Sequence, residues 1–273
     1  MSVLIQNGTV LTGSTRGRMD VRIDRGIISQ VAPSLQAGEG DCVIDAAGLY
    51  VAPGFVDIHT HGGANVDVNH AAEADLETVA VFFASHGVTG WQCSILTDTR
   101  EQTLHCIRQA RSYAAAGHPG ARLLGIHLEG PFLSKDYRGS MPEHLLHTEF
   151  DLELVRSYQE AAGGLIRYIT VSPEIAGAPE AIPALRELGI RVSIGHSGAD
   201  YDTAWAAIRA GAESATHTMN AMLLLHQHRP AITGAVLESD VYCETNCDGN
   251  HLLPPTLRLI LKTNGLDRVV AIT

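Results

Sequence analysis

His59 and His61 are one residue apart, at the end of the apolar run Val51 to Ile58 and just before Gly62-Gly63-Ala64. Side chains alternate along a strand, so histidines two apart share a side. Two imidazoles together at the end of a buried strand can hold one divalent ion by two nitrogens. The same pair could instead be two polar residues satisfied at a strand end. Other residues of the same chemistry bear on that choice. Glu129 closes the run Leu123 to Leu128 and precedes Gly130-Pro131, where the backbone turns away. His196 follows Arg191 to Gly195, and His217 follows Ala215-Thr216. Imidazole or carboxylate thus recurs at separate apparent strand ends, which favours metal. A nitrogen-rich set with one carboxylate suits zinc, iron or another first-row divalent ion better than magnesium. His127, two residues before Glu129 and on its side of the strand, reads as a buried, hydrogen-bonded histidine or one that supports a ligand.

The elements that would position these residues follow a regular alternation. Residues 1–50 read as a small β subdomain of short strands. These include residues 3–11 with a turn at Asn7-Gly8, a hairpin over 21–28 with Asp24-Arg25-Gly26 at its tip, and 42–45. From residue 51 the pattern becomes strand, loop, helix, repeated. Strands are expected at 51–58, 87–95, 123–129, 165–171, 191–196, 215–217, 241–247 and 269–273. Helices are expected at 74–85, 99–116, 151–162, 179–188 and 200–210, with another opening at Pro254-Pro255. Strands alternating with helices argue for an α/β fold, a parallel (β/α)8 TIM-type barrel over 51–273. Such barrels carry their sites at the C-terminal ends of the strands. His59, His61, Glu129, His196 and His217 all fall there. The 51–58 strand, apolar nearly throughout, is expected to be buried on both faces.

Composition narrows the function. The net charge of −11 argues against a general affinity for nucleic acid. No apolar run approaches the length of a membrane span, and no basic region followed by an apolar stretch opens the chain. The five cysteines, 42, 93, 106, 243 and 247, are odd in number and lack paired spacing. They read as reduced thiols in a cytoplasmic protein.

Several segments together resemble the amidohydrolase superfamily and, within it, the N-acetylglucosamine-6-phosphate deacetylase family. They are Ile44 to Gly62, His127-Leu128-Glu129-Gly130-Pro131-Phe132, Gly195-His196-Ser197, Thr216-His217-Thr218-Met219-Asn220-Ala221-Met222 and Asp248-Gly249-Asn250-His251. The first is shared across many amidohydrolases; the His-Leu-Glu-Gly-Pro and Thr-His-x-x-Asn-Ala-Met segments are more specific. The resemblance implies that Glu129, His196 and His217 are the main metal ligands, with His59 and His61 at a second metal position. One or two ions are therefore expected, zinc first. It also implies that Asn220 and Ala221 contact a sugar phosphate and that His251 contacts substrate near the scissile amide. Asp248 reads as a loop residue that fixes the turn.

The same resemblance shows departures. In the family an aspartate directly follows a strand like Val269 to Thr273 and acts as general base, whereas this sequence ends at Thr273. No catalytic base is therefore assigned within it. The sequence reads as a fragment without its last barrel helix and C-terminal segment. As given, it is expected to bind metal but turn over poorly or not at all. Met141 stands near the place of a family histidine. His226-Gln227-His228-Arg229-Pro230 departs from the family's phosphate-binding motif, leaving His228 and Arg229 as candidate substrate contacts or as solvated loop residues. The implied activity is hydrolysis of the acetamide of an N-acetyl amino sugar, N-acetylglucosamine 6-phosphate before its galactosamine epimer, in cytoplasmic sugar catabolism by a homodimer. The rivals are another amidohydrolase acting on an N-acyl amino acid or cyclic amide, and a non-catalytic binding protein.

Overall fold

The structure, a computed structural model, describes residues 2–13 and 16–273. It divides into two compact units, Met1–Phe55 and Val56–Thr273.

The first unit is a sheet. Strand β1 (Ser2–Leu11) lies between β2 (Arg16–Asp24) and β4 (Cys42–Asp45), with β3 (Ile27–Ala32) outside β2 and β5 (Tyr50–Val51) also on β1. Arg25 and Gly26, at φ 51° and 80°, form the two-residue turn between β2 and β3 that strand twist favours. Asn7-Gly8 is not a turn. The strand runs through it with a shift of register between Ile5 and Gly8. Glycine is needed there for closeness, because a Cβ on Gly8 would come within 2.5 Å of Val51 Cγ2. Asp20, buried, fixes this bulge by accepting the backbone N–H of Asn7 at 2.9 Å and that of Leu35 at 2.8 Å.

The expected strand over 51–58 is divided. Tyr50–Val51 belongs to the first sheet, while β6 (Phe55–Thr60) opens the second unit's sheet. Pro53, with no N–H to offer a ladder, falls in the break. After β6 come a short hairpin, β7 (Gly62–Gly63) and β8 (Val66–Asp67), then α1 (Glu73–Ser85), β9 (Val88–Leu96) and α2 (Arg100–Ala116). The alternation continues with β10 (Arg122–Glu129), α3 (Leu152–Ala162), β11 (Ile166–Val171), α4 (Ala178–Glu187), β12 (Arg191–Ile194) and α5 (Tyr201–Ala210). It ends with β13 (Ser214–Ala215), α6 (Ala231–Glu238), β14 (Tyr242–Asn246), α7 (Pro254–Asn264) and β15 (Val269–Ile272). The helices start on side-chain caps where the sequence supplies them: Thr99, Asp151 and Asp200 accept N–H groups of Gln102, Leu154 and Thr203. Left-handed Gly117, Gly163 and Gly211 stop three of them.

Strands β6 and β9 to β15 form an eight-stranded sheet in sequence order, a nearly closed barrel of TIM type. Its outer core is apolar, built from residues such as Leu76, Trp91, Ile107, Ile126, Ile169 and Ile182, all fully buried. Each such side chain contributes about 1.5–3 kcal/mol. Helix α6 has no counterpart in the sequence expectation. Its residues Ala231 to Val236 are buried all round, so it lacks the polar face that periodicity detects. Strand β6 also departs from expectation. Phe55 and Val56, at the start of this end strand of the sheet, are 70% and 48% exposed.

Candidate metal centre and active site

The inside of this barrel is polar where hydrocarbon layers are the rule. His127, buried on β10, has Nδ1 2.9 Å from Ser94 Oγ and Nε2 2.8 Å from Thr170 Oγ1. Burial and the neighbouring His59 push its pKa well below the ordinary value, so the ring is neutral. Thr170, Thr216 and Ser193 continue the chain of hydroxyls at 2.7 and 2.6 Å. Above this layer, at the C-terminal ends of the strands, the five expected ligands converge.

Glu129, the last residue of β10, is the centre. Its Oε1 lies 3.1 Å from His196 Nε2, 3.2 Å from His217 Nε2 and 3.4 Å from His59 Nε2; its Oε2 lies 3.3 Å from His61 Nε2. His59 and His61 are 3.2 Å apart through their Nε2 atoms, and His196 and His217 are 2.9 Å apart. Two ligand groups result, His59–His61–Glu129 and Glu129–His196–His217, sharing the carboxylate. Burial opposes the charge on Glu129, but the imidazoles of His59, His196, His217 and His61 hold its carboxyl well below the usual range.

The tautomers of two of the rings can be read from what faces Nδ1. The Nδ1–H of His61 donates to the carbonyl of Ser94 at 3.0 Å, and that of His196 to the carbonyl of Tyr137 at 2.8 Å. A carbonyl only accepts, so the proton sits on Nδ1 and Nε2 presents a lone pair. Nε2 of His61 then faces His59 Nε2 and Glu129 Oε2, and Nε2 of His196 faces His217 Nε2 and Glu129 Oε1, with no proton of its own to offer. A divalent cation is the partner such a donor set lacks, and the residues therefore fit a metal.

Local backbone makes this convergence possible. His196 and His217 do not end their strands; each lies two residues beyond, at φ 48° and 30°. Left-handed backbone is costly for a side chain with a Cβ and is concentrated at functional positions. Met219 and Ala221, at φ 74° and 46°, continue the turn that carries His217. Gly62 follows the first pair at φ 130°, where a Cβ would lie 2.0 Å from the carbonyl oxygen of Val66.

A cavity of about 740 Å³ opens over these candidate ligands. Met141, Asn220, Ala221 and His251 line it, together with all five candidate ligands. His228 and Arg229 do not; they lie exposed on the loop held by the mutual backbone bonds of His226 and Arg229. The amide of Asn220 is turned back to the His217 carbonyl at 3.1 Å. Asp248 accepts the N–H groups of Asn250 and His251 with one oxygen and His251 Nδ1–H at 2.6 Å with the other. It thus fixes the turn and also orients the ring. The His251 contact and the two N–H groups hold its carboxyl down to about 2.

Glu244 escaped the sequence reading. It sits within β14, fully buried, with Oε2 2.9 Å from His59 Nδ1. Its signal in the sequence was an acid inside the strand expected over 241–247.

No protein-family model matches the chain. Among curated proteins it is 31% identical to the N-acetylglucosamine-6-phosphate deacetylase of Lysinibacillus sphaericus, over 100% of this chain and 70% of that protein. It is 38% identical to the Bos taurus deacetylase of the same name, over 79% of this chain and 55% of that protein. Among solved structures, N-acetylglucosamine-6-phosphate deacetylase from Pasteurella multocida superposes with a TM-score of 0.92 at 29% identity, covering 100% of this chain and 71% of that one. The Mycobacterium smegmatis deacetylase, in a mutant form in complex with N-acetyl-D-glucosamine-6-phosphate, gives 0.90 at 32% identity, covering 100% and 70%. A D-hydantoinase, at 19% identity and 0.53, shares the fold alone. The chain thus spans between about half and seven tenths of the length of these relatives. With matched sequence running from its first strands to Thr273, and with the fold superposing throughout, the chain belongs to the N-acetylglucosamine-6-phosphate deacetylase family.

Proposed function

We propose that this chain carries the metal site of a deacetylase that hydrolyses the acetamide of N-acetylglucosamine 6-phosphate to the amino sugar phosphate and acetate. The observation that carries the proposal is the convergence of four histidine Nε2 atoms on the two oxygens of Glu129. Glu129, His196 and His217 would hold the main ion, and His59 and His61 with Glu129 a second; zinc suits the donor set best. A divalent ion held by these residues would supply a Lewis acid for the acetyl carbonyl and make a water more acidic. The chain's own residues supply position. Carbonyls of Ser94 and Tyr137 hold two of the rings, and Asp248 holds His251 with its Nε2 left for a substrate contact. Asn220, Ala221 and Met141 shape the cavity in which the sugar would lie. The family resemblance implies an aspartate as general base, and none of the described residues is assigned that role. A cytoplasmic homodimer is part of the same proposal, resting on the reduced cysteines and the family resemblance. No helix among the described residues is long and apolar enough to cross a membrane.

One observation favours a second reading, another amide as substrate: Arg229 and His228, the candidate phosphate contacts, lie outside the cavity lining. The test measures metal content and acetate release from N-acetylglucosamine 6-phosphate, on this chain and on one extended past Thr273. Metal in both and acetate from the longer chain alone is the expected result. Metal in both and acetate from neither would move the activity to other amides.

A further inference from the structure

We propose that Glu244 is a positioning residue that makes His59 a metal ligand, a proposal that rests on the metal site proposed above. Glu244 lies at the middle of β14 with no exposed surface. Its Oε2 accepts His59 Nδ1–H at 2.9 Å and the backbone N–H of His217 at 3.3 Å. Its Oε1 accepts the hydroxyl of Tyr168, which in turn lies 2.5 Å from Ser214 Oγ. One buried carboxylate therefore touches the ring of one ligand and the backbone of another.

Such a residue is a poor choice for stability alone. Taking a carboxylate out of water is costly, and neither lysine nor arginine compensates it among its described partners. Interior positions of a barrel strand usually carry Val, Ile or Leu. What the carboxylate does supply is a fixed proton on His59 Nδ1. Nε2 then keeps its lone pair, aimed at Glu129 Oε1 3.4 Å away and beside His61 Nε2. Nδ1 of His61 and of His196 faces a neutral carbonyl, whereas that of His59 faces a carboxylate. A carboxylate behind a ligating imidazole also makes the ring a stronger donor. Tyr168 keeps the carboxylate from rotating away, because its hydroxyl is held between Glu244 and Ser214.

The test is a double-mutant cycle on zinc binding, without catalysis as a readout. Apo protein of wild type, Glu244→Gln, His59→Asn and the double variant is titrated with zinc against a chelator, and the apo proteins are melted. The expected result is that Glu244→Gln weakens one of two zinc ions by about 10-fold to 100-fold and spares the other. In the His59→Asn background the same change should then have no further effect, since the two residues act as a unit. A purely structural role would instead lower the melting temperature of the apo protein and weaken both ions alike. Equal zinc affinities in wild type and Glu244→Gln, or additive effects in the cycle, would overturn the positioning role while leaving the metal site standing. A wild type that binds no zinc would overturn the metal site itself, and this proposal with it. If Glu244→Gln fails to fold, Glu244→Asp keeps the charge but falls short of His59 and should show the same selective loss.

Discussion

Asp57 and Thr273 stand 216 residues apart, yet Thr273 Oγ1 donates to Asp57 Oδ2 at 2.8 Å. Strands β6 and β15 are the two ends of the barrel sheet and share no ladder. This side-chain bond spans them. Asp57 is buried, and burial pushes its carboxyl up while the Thr273 hydroxyl and the His59 N–H pull it back. Thr273→Val leaves a buried acceptor without that donor. It should cost roughly 1–3 kcal/mol in denaturant melts, most of it recovered by Thr273→Ser. Equal stability of wild type and Thr273→Val would mean that the bond contributes nothing to holding the two ends.

Glu129 is shared by both ligand groups, so its loss should be felt at both. Glu129→Gln replaces a charged oxygen with an amide and should strip the main ion. His59→Asn should remove at most one of two ions. Metal analysis of the purified variants checks both; full metal content in Glu129→Gln would refute the ligand assignment.

Arg229 tests the phosphate. If it contacts the phosphate, Arg229→Ala should raise KM for a phosphorylated sugar about 10-fold or more and leave the unphosphorylated sugar nearly unchanged. The comparison belongs on the chain extended past Thr273. Equal effects on both sugars would make Arg229 a bystander.

Asp20 gives a prediction about pH. Its carboxyl is held below its ordinary value of 3.8, first by the N–H of Asn7 and then by that of Leu35. A carboxyl whose pKa is lowered by folding stabilises the fold above its unfolded pKa, and that contribution is lost as pH falls through the folded value. Asp20→Asn should therefore be less stable than wild type at pH 7, with the gap narrowing below about pH 4. Urea midpoints across that range would show it. A gap that stays constant down to pH 2 would assign the effect to shape and not to charge.

The candidate ligands were legible in the sequence because each is a titratable residue placed where an apolar run stops. A parallel barrel brings all such places to one mouth. What lay between those ends was harder to read. Glu244 is separated from His59 by 185 residues and sits within a strand, so no spacing links the two. Helix α6 lacks a polar face because it is buried all round. The Asn7-Gly8 pair has the composition of a turn, yet its glycine admits Val51 against the strand. The backbone torsions of His196 and His217 have no signal in residue type, since histidine is tolerated in left-handed backbone without requiring it.

Those torsions limit how far the site can be re-engineered. Retuning it for a softer or a harder ion would mean exchanging ligands for cysteine or carboxylate. Glu129 and His59 sit on strands, where such exchanges keep the chain's natural geometry. At His196 and His217 any ordinary replacement must adopt φ near 48° and 30°, at about 1–2 kcal/mol each before any bond to the new ion forms. Asparagine and glycine accept that backbone most readily, and neither is a strong donor for a transition metal. Variation in metal preference is therefore expected to enter through His59, with His196 and His217 resistant to replacement.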